Sequence, residues 1–217
     1  MSWAEGHAFR AVHRILLRAH GRQHWWPADS PFEVMVGAVL TQNTAWINVE
    51  RAIDNLRRAS ALDVEAIARL PEGRLAELLR PSGYFNVKAR RLRQLCAWCL
   101  ANGGVEGLAE LATARLRHAL LAVSGVGPET ADDILLYAFE RPVFVIDAYT
   151  RRLFGRLGLV DPEAPYEALR ARFEGALGRR AALFNEYHAL IVRHAKDVCR
   201  PRPRCADCCL RGQCPAA

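Results

Sequence analysis

The densest chemical capacity in the chain lies near its end, where Cys199, Cys205, Cys208 and Cys214 follow a Cys-x5-Cys-x2-Cys-x5-Cys spacing within sixteen residues. Four thiolates on one short loop suit either a zinc ion or an iron-sulfur cluster. Cys209 is a spare thiol, and the spacing leaves the choice between Cys205 and Cys209 open. A second Cys-x2-Cys, Cys96 and Cys99, sits in an apolar, helix-patterned stretch and reads as two buried thiols.

Two further groups could act on a ligand. Gly125-Val126-Gly127 falls between helical segments. Glycines there allow a tight turn and close approach of backbone N–H groups, and the helix that follows presents its unpaired donors and positive dipole end. Such a turn can hold a phosphate without reading base sequence, although an ordinary helix-to-helix turn has the same composition. Asp147 follows the apolar run Val143-Phe144-Val145-Ile146. An isolated carboxylate in that setting is costly to bury unpaired, so it either caps the helix beginning at Ala148 or is kept for chemistry, and the two roles can coexist.

The basic residues narrow the nucleophiles. Of 30 Lys and Arg residues only Lys88 and Lys196 are lysines, so amine chemistry has two candidates in the whole chain. The net charge of +7 and pI near 9.3 favour a polyanionic partner, because neutralised phosphates release counterions.

These groups need a scaffold, and the pattern predicts one that is all-α. Apolar residues recur at helical spacing almost throughout, as in Phe9, Val12, Ile15, Leu16 and Leu75, Leu78, Leu79, with no alternating strand. Gly and Pro punctuation at Gly21, Trp26-Pro27, Pro81-Ser82-Gly83, Asn102-Gly103-Gly104 and Arg141-Pro142, among others, cuts the chain into about ten helices. Ser30, Asp63 and Asp161 read as N-caps. A 217-residue chain that is 51% hydrophobic can bury a real core. No apolar run approaches the roughly 20 residues needed to span a bilayer. The N-terminus lacks the features of a secretory signal, so the expected location is the cytoplasm, nucleoid-associated in a bacterium, with the cysteines reduced.

The segment Leu121 to Leu136 resembles the helix-hairpin-helix signature of the endonuclease III superfamily of DNA glycosylases. The likeness continues through Val143 to Arg152, with Leu40-Thr41-Gln42-Asn43-Thr44 and Gly83 to Ala89 as upstream blocks in the family's order. It covers nearly the whole chain and implies a two-lobed helical fold: a central domain over 29–140 with the hairpin, and a second lobe from 1–28 plus 141–217. The cysteine loop at 199–214 resembles the family's [4Fe-4S] loop, with zinc as the alternative; its first gap is one residue shorter than usual. It would turn Arg200, Arg202, Arg204 and Arg211 toward phosphates.

The resemblance implies base-excision repair of double-stranded DNA containing a damaged base. The base is flipped out, and Asp147 stabilises oxocarbenium character at C1' and orients or deprotonates the attacking water. Gly125, Val126, Gly127 and Lys196 would bind DNA, with Gln42 plugging the vacated space and Tyr84 wedging the opposite strand. Bifunctional members attack C1' with a hairpin lysine, a position occupied here by Glu129, which cannot form an imine; the implied enzyme is a monofunctional glycosylase. Trp25-Trp26-Pro27, Pro81-Ser82-Gly83 and Glu129 resemble the 3-methyladenine DNA glycosylase II/III branch. An indole stacked on a cationic alkylpurine gains about 0.5–2 kcal/mol over a neutral base; the bland role of Trp25 and Trp26 is core filling. The rivals are an endonuclease III-like glycosylase, with or without lyase activity, for oxidised pyrimidines or mismatched thymine or uracil, and a non-catalytic metal-stabilised DNA-binding protein. A monomer with no membrane partner is expected.

Overall fold

The computed structural model describes the backbone of residues 3–217 and the side chains from residue 6 onward. Every regular element among these residues is helical, and the chain divides into two compact units, one of residues 28–139 and one of residues 1–27 with 140–217.

The 28–139 unit is built around α2 (Pro31–Leu40), whose residues from Phe32 to Leu40 are all buried. Ser30 caps it by accepting the Glu33 N–H at 3.2 Å, and Pro31 occupies the first turn, where its missing donor costs nothing. The one charge on this helix, Glu33, is buried and neutralised by Arg57 of α3 (Trp46–Arg58). Next come α4 (Val64–Arg69), capped by Asp63, and α5 (Glu72–Leu79). A 3-10 turn at Arg80–Ser82 leads into the long α6 (Phe85–Ala101), against which α4 and α5 pack. The short α7 (Gly104–Ala109) and α8 (Thr113–Leu121) follow. The unit closes with α9 (Pro128–Asp133), which runs into a π-helical turn at Ile134–Ala138 lying on α2. Such turns recur at functional sites. No spacing rule in the sequence announces it.

The other unit joins α1 (Trp3–His20) to α10 (Ala148–Arg156), α11 (Tyr166–Leu177) and α12 (Ala181–Asp197), followed by 3-10 turns at Cys205–Asp207 and Arg211–Gln213. Its core is aromatic: Phe9, Phe154 and Phe173 meet within 5.2 Å of one another's ring centroids, and Phe144 stacks on Phe173 at 4.4 Å. The expectation that Asp161 caps a helix is corrected. It heads a turn, accepting the Glu163 N–H at 3.0 Å, and α11 begins only at Tyr166. Pro162 and Pro165 each bias the preceding residue away from helical geometry, which delays the start. No helix among the described residues is long and apolar enough to cross a membrane.

Candidate functional site

Val143 to Ile146 run non-helically through the core of their unit, all at most 1% exposed. α11 fixes this run through side chains. The Phe144 N–H donates to Glu174 Oε1 at 3.2 Å and the Ile146 N–H to Tyr166 Oη at 3.4 Å. The run delivers Asp147 to the N-cap of α10, where it is 8% exposed. Its Oδ1 accepts the Thr150 N–H at 2.7 Å, while Oδ2 lies 3.4 Å from Nε2 of the buried His188 on α12. Burial alone would raise the carboxyl pKa. The His188 imidazole and the Thr150 hydrogen bond outweigh it, holding Asp147 below the usual aspartate value and therefore ionised at neutral pH. His188 escapes sequence reasoning because a lone histidine in an apolar helix reads as core.

Tyr149, two residues beyond, is flanked by Arg152 at 5.2 Å and Lys196 at 5.8 Å from its ring centroid. Lys196 is exposed, yet desolvation of its ammonium lowers its pKa against the attraction of Asp147 and Asp197. In the same unit Trp25 and Trp26 are both half-buried, with ring centroids 5.4 Å apart, and Pro27 is exposed. Their segment is tied to α12 by the Gln23 N–H donating to Glu186 Oε1 at 2.8 Å.

The hairpin belongs to the other unit. α8 ends at Leu121, Gly125 takes φ +86°, and Gly127 caps α9 at φ −90°. The two glycines differ in need. A Cβ on Gly125 would lie 2.5 Å from Arg91 Cγ, whereas one on Gly127 would meet nothing within 4 Å. Val126, between them, is buried, while Glu129 is exposed in the first turn of α9. Gln42 is built into this turn: Nε2 donates to Gly125 O at 3.2 Å and Thr130 Oγ1 at 2.9 Å, and Oε1 accepts from Arg91. In the same hairpin, Arg117 of α8 grips the fully buried Asp132 of α9 with two hydrogen bonds of 2.6 and 3.1 Å. Tyr84 stands 73% exposed at φ +45°. Lys88, in the same block, does not face outward. It is 2% exposed, and its Nζ donates to Leu40 O at 2.9 Å and Ser82 O at 2.6 Å; burial, then Arg91, lower its pKa to about 8.

Cys199, Cys205, Cys208 and Cys214 together line one cavity with Leu153, Leu157 and Val198. Cys209 does not line it and is exposed. Among the described residues, no three of these sulfurs lie within 4.8 Å of one another. A single zinc would hold its sulfurs about 3.8 Å apart, given Zn–S bonds of about 2.3 Å. Four thiols lining one cavity are a donor set that an iron-sulfur cluster accepts without drawing the sulfurs that close, and that zinc accepts once they are drawn in. α10 is bolted to the same loop: Arg152 donates to Cys199 O and Ala195 O, and Arg156 to Arg200 O at 2.7 Å and Pro201 O at 2.9 Å. Cys96 and Cys99 are buried elsewhere, their thiols pushed up by desolvation, Cys99 to about 11.

A helical hairpin with a backbone-lined turn, a buried ionised carboxylate and a four-cysteine cage define the class of helix-hairpin-helix DNA repair proteins. Residues 36–178 match the model of the HhH-GPD superfamily base excision DNA repair protein, and the chain belongs to that family. A protein of Methanocaldococcus jannaschii described as a DNA repair glycosylase is 46% identical over 206 residues, 94% of each chain. The structure superposes on an H. pylori 3-methyladenine DNA glycosylase bound to 1,N6-ethenoadenine with a TM-score of 0.75 at 30% identity, covering 88% of this chain and 97% of that one. An endonuclease III–DNA complex superposes with a TM-score of 0.82 at 20% identity over 97% and 95% of the two chains, a likeness of fold.

Proposed function

We propose that the chain is a monofunctional DNA glycosylase that releases alkylated purines such as 3-methyladenine from double-stranded DNA, acting as a monomer in the cytoplasm or nucleoid. The observation that carries the reading is Asp147, a buried carboxylate kept ionised by His188 and Thr150. As C1' gains positive charge, Oδ2 stabilises it and orients or accepts a proton from the incoming water, while Oδ1 stays committed to the helix cap. An alkylated purine leaves readily, so a carboxylate without a strong general acid suffices.

Gly125, Val126 and Gly127 contact phosphate through the backbone, and Lys196 adds charge. Gln42 and Tyr84 stand by the flipped nucleotide, Gln42 preorganised by its three hydrogen bonds and Tyr84 by its exposure. Trp25, Trp26 and Pro27 form the base pocket, where an indole face favours a cationic base. Support for that specificity comes from the 30% identity to the H. pylori enzyme. Lyase chemistry is disfavoured by Glu129 in the lysine position and by the burial of Lys88. Cys199, Cys205, Cys208 and Cys214 would hold a [4Fe-4S] cluster, which when bound supplies structural order to the loop that braces α10.

The test is release of free base from duplexes carrying 3-methyladenine, 7-methylguanine, thymine glycol, uracil or a T:G mismatch. Release of the methylated purines is expected. Release confined to uracil, thymine or thymine glycol moves the enzyme to its pyrimidine-specific relatives, and no release from any duplex makes it a DNA-binding protein.

A further inference from the structure

His194 is fully buried on α12, immediately before the cysteine loop, and both ring nitrogens are engaged. Nε2 lies 3.5 Å from Cys208 Sγ, and Nδ1 lies 3.0 Å from Nε2 of His20 at the end of α1. Beside this pair sits the spare thiol: the ligand atoms of His20, His194 and Cys209 all lie within 4.8 Å of one another. None of the three lines the four-cysteine cavity. His20 is half-buried and Cys209 exposed, so the group opens to solvent on the thiol side.

The geometry points to a second metal site, mononuclear and separate from the four-cysteine cage, formed by His20 Nε2, His194 Nδ1 and Cys209 Sγ. Metal–nitrogen bonds of about 2.0–2.1 Å and a metal–sulfur bond of about 2.3 Å place tetrahedral donors about 3.3 to 3.6 Å apart. The two imidazole nitrogens need to separate by only a few tenths of an ångström, and the thiol to swing in from the exposed side. When Nε2–H of His194 is donated to Cys208 Sγ, the neutral ring presents its Nδ1 lone pair toward His20 and Cys209; a hydrogen bond from outside the metal shell fixes a ligand tautomer in this way. Two imidazoles and one thiolate are a borderline-soft set that suits zinc, cobalt(II) or copper(I), and three protein ligands leave a fourth position for water or an exogenous donor. Binding expels the Cys209 thiol proton to solvent and shifts His20 from its Nε2–H to its Nδ1–H tautomer, freeing Nε2 for the metal. His194 then contacts both centres, so occupancy of the outer site is felt at Cys208.

Cobalt(II) titration of the protein as purified, with its iron content assayed in parallel, tests this. The wild type should take up one cobalt beyond the four-cysteine cage, with a thiolate-to-cobalt charge-transfer band. Cys209→Ser should abolish that band, and His20→Ala should weaken uptake at least tenfold, with unchanged iron content and melting temperature in both. Uptake by Cys209→Ser and His20→Ala equal to that of the wild type overturns the site, leaving a hydrogen-bonded histidine pair. Loss of iron in Cys209→Ser also overturns it by making Cys209 a ligand of the cage. Neither outcome touches the glycosylase reading, which base release tests separately.

Discussion

Replacing Asp147 by Asn and by Ala separates its two roles. Asn keeps an acceptor for the Thr150 N–H and is as good an N-cap as Asp, so α10 should keep its cap. What Asn removes is the ionised Oδ2 held 3.4 Å from His188. Base release should therefore fall about 10²- to 10⁴-fold, the span usual for a positioned acid-base group, while stability changes by less than about 1 kcal/mol. Ala removes the cap as well and should cost about 1 kcal/mol more, a melting shift of roughly 2–4 °C for a domain of this size. Single-turnover release of 3-methyladenine, followed with enzyme in excess, reads the first quantity, and thermal unfolding the second. The pH profile supplies a further check. The folded pKa of Asp147 is depressed, so its contribution to rate and to stability is complete above the unfolded aspartate value near 3.9 and is lost as pH falls through the lower folded value. An Asp147→Asn enzyme within about threefold of the wild-type rate would reduce Asp147 to a capping residue and remove the proposed chemistry.

Borohydride reduction on a duplex with an abasic site should trap no substantial covalent adduct, as seen by denaturing electrophoresis, and strong trapping would restore a lyase amine. Arg117→Ala should destabilise the 28–139 unit by about 1.5–3 kcal/mol in urea unfolding, because it removes two charge-assisted hydrogen bonds to the fully buried Asp132 carboxylate. Gly125→Ala should cost about 1–2 kcal/mol for its left-handed φ, more if Arg91 cannot move, while Gly127→Ala should cost less than about 1 kcal/mol, since its φ is ordinary, its surroundings are open and only the N-cap preference for Gly over Ala is lost. A Gly127→Ala protein that melts normally yet binds abasic duplex less tightly in a salt-dependent anisotropy assay would locate the phosphate contact at that turn; unchanged affinity would refute it.

Residues whose chemistry is local could be found in the sequence; residues whose chemistry depends on distant partners could not. The cysteine spacing, the glycine turn and the apolar run before Asp147 are short-range patterns, each legible within a few residues. His188 is 41 positions from Asp147, Arg91 is 49 from Gln42, and Arg152 and Arg156 reach Cys199 across 47 and 43. Nothing in their own neighbourhoods marks them. Lys88 is hidden for the same reason: the two backbone carbonyls that hold its ammonium, Leu40 O and Ser82 O, are brought to it by the fold. The π turn after α9 gives no periodic signal because five apolar residues pack equally well with either helical pitch. The misplaced cap at Asp161 shows the same limit, since Asp-Pro opens turns as readily as helices.

The grip of Arg152 and Arg156 on the carbonyls of Cys199, Arg200 and Pro201 makes the cysteine loop an abutment for α10, and Asp147 sits at that helix's far end. Inherited change is constrained accordingly. A descendant that discards the cysteine loop must find new acceptors for two guanidinium groups, so the arginines of α10 and the loop are expected to be lost together or kept together.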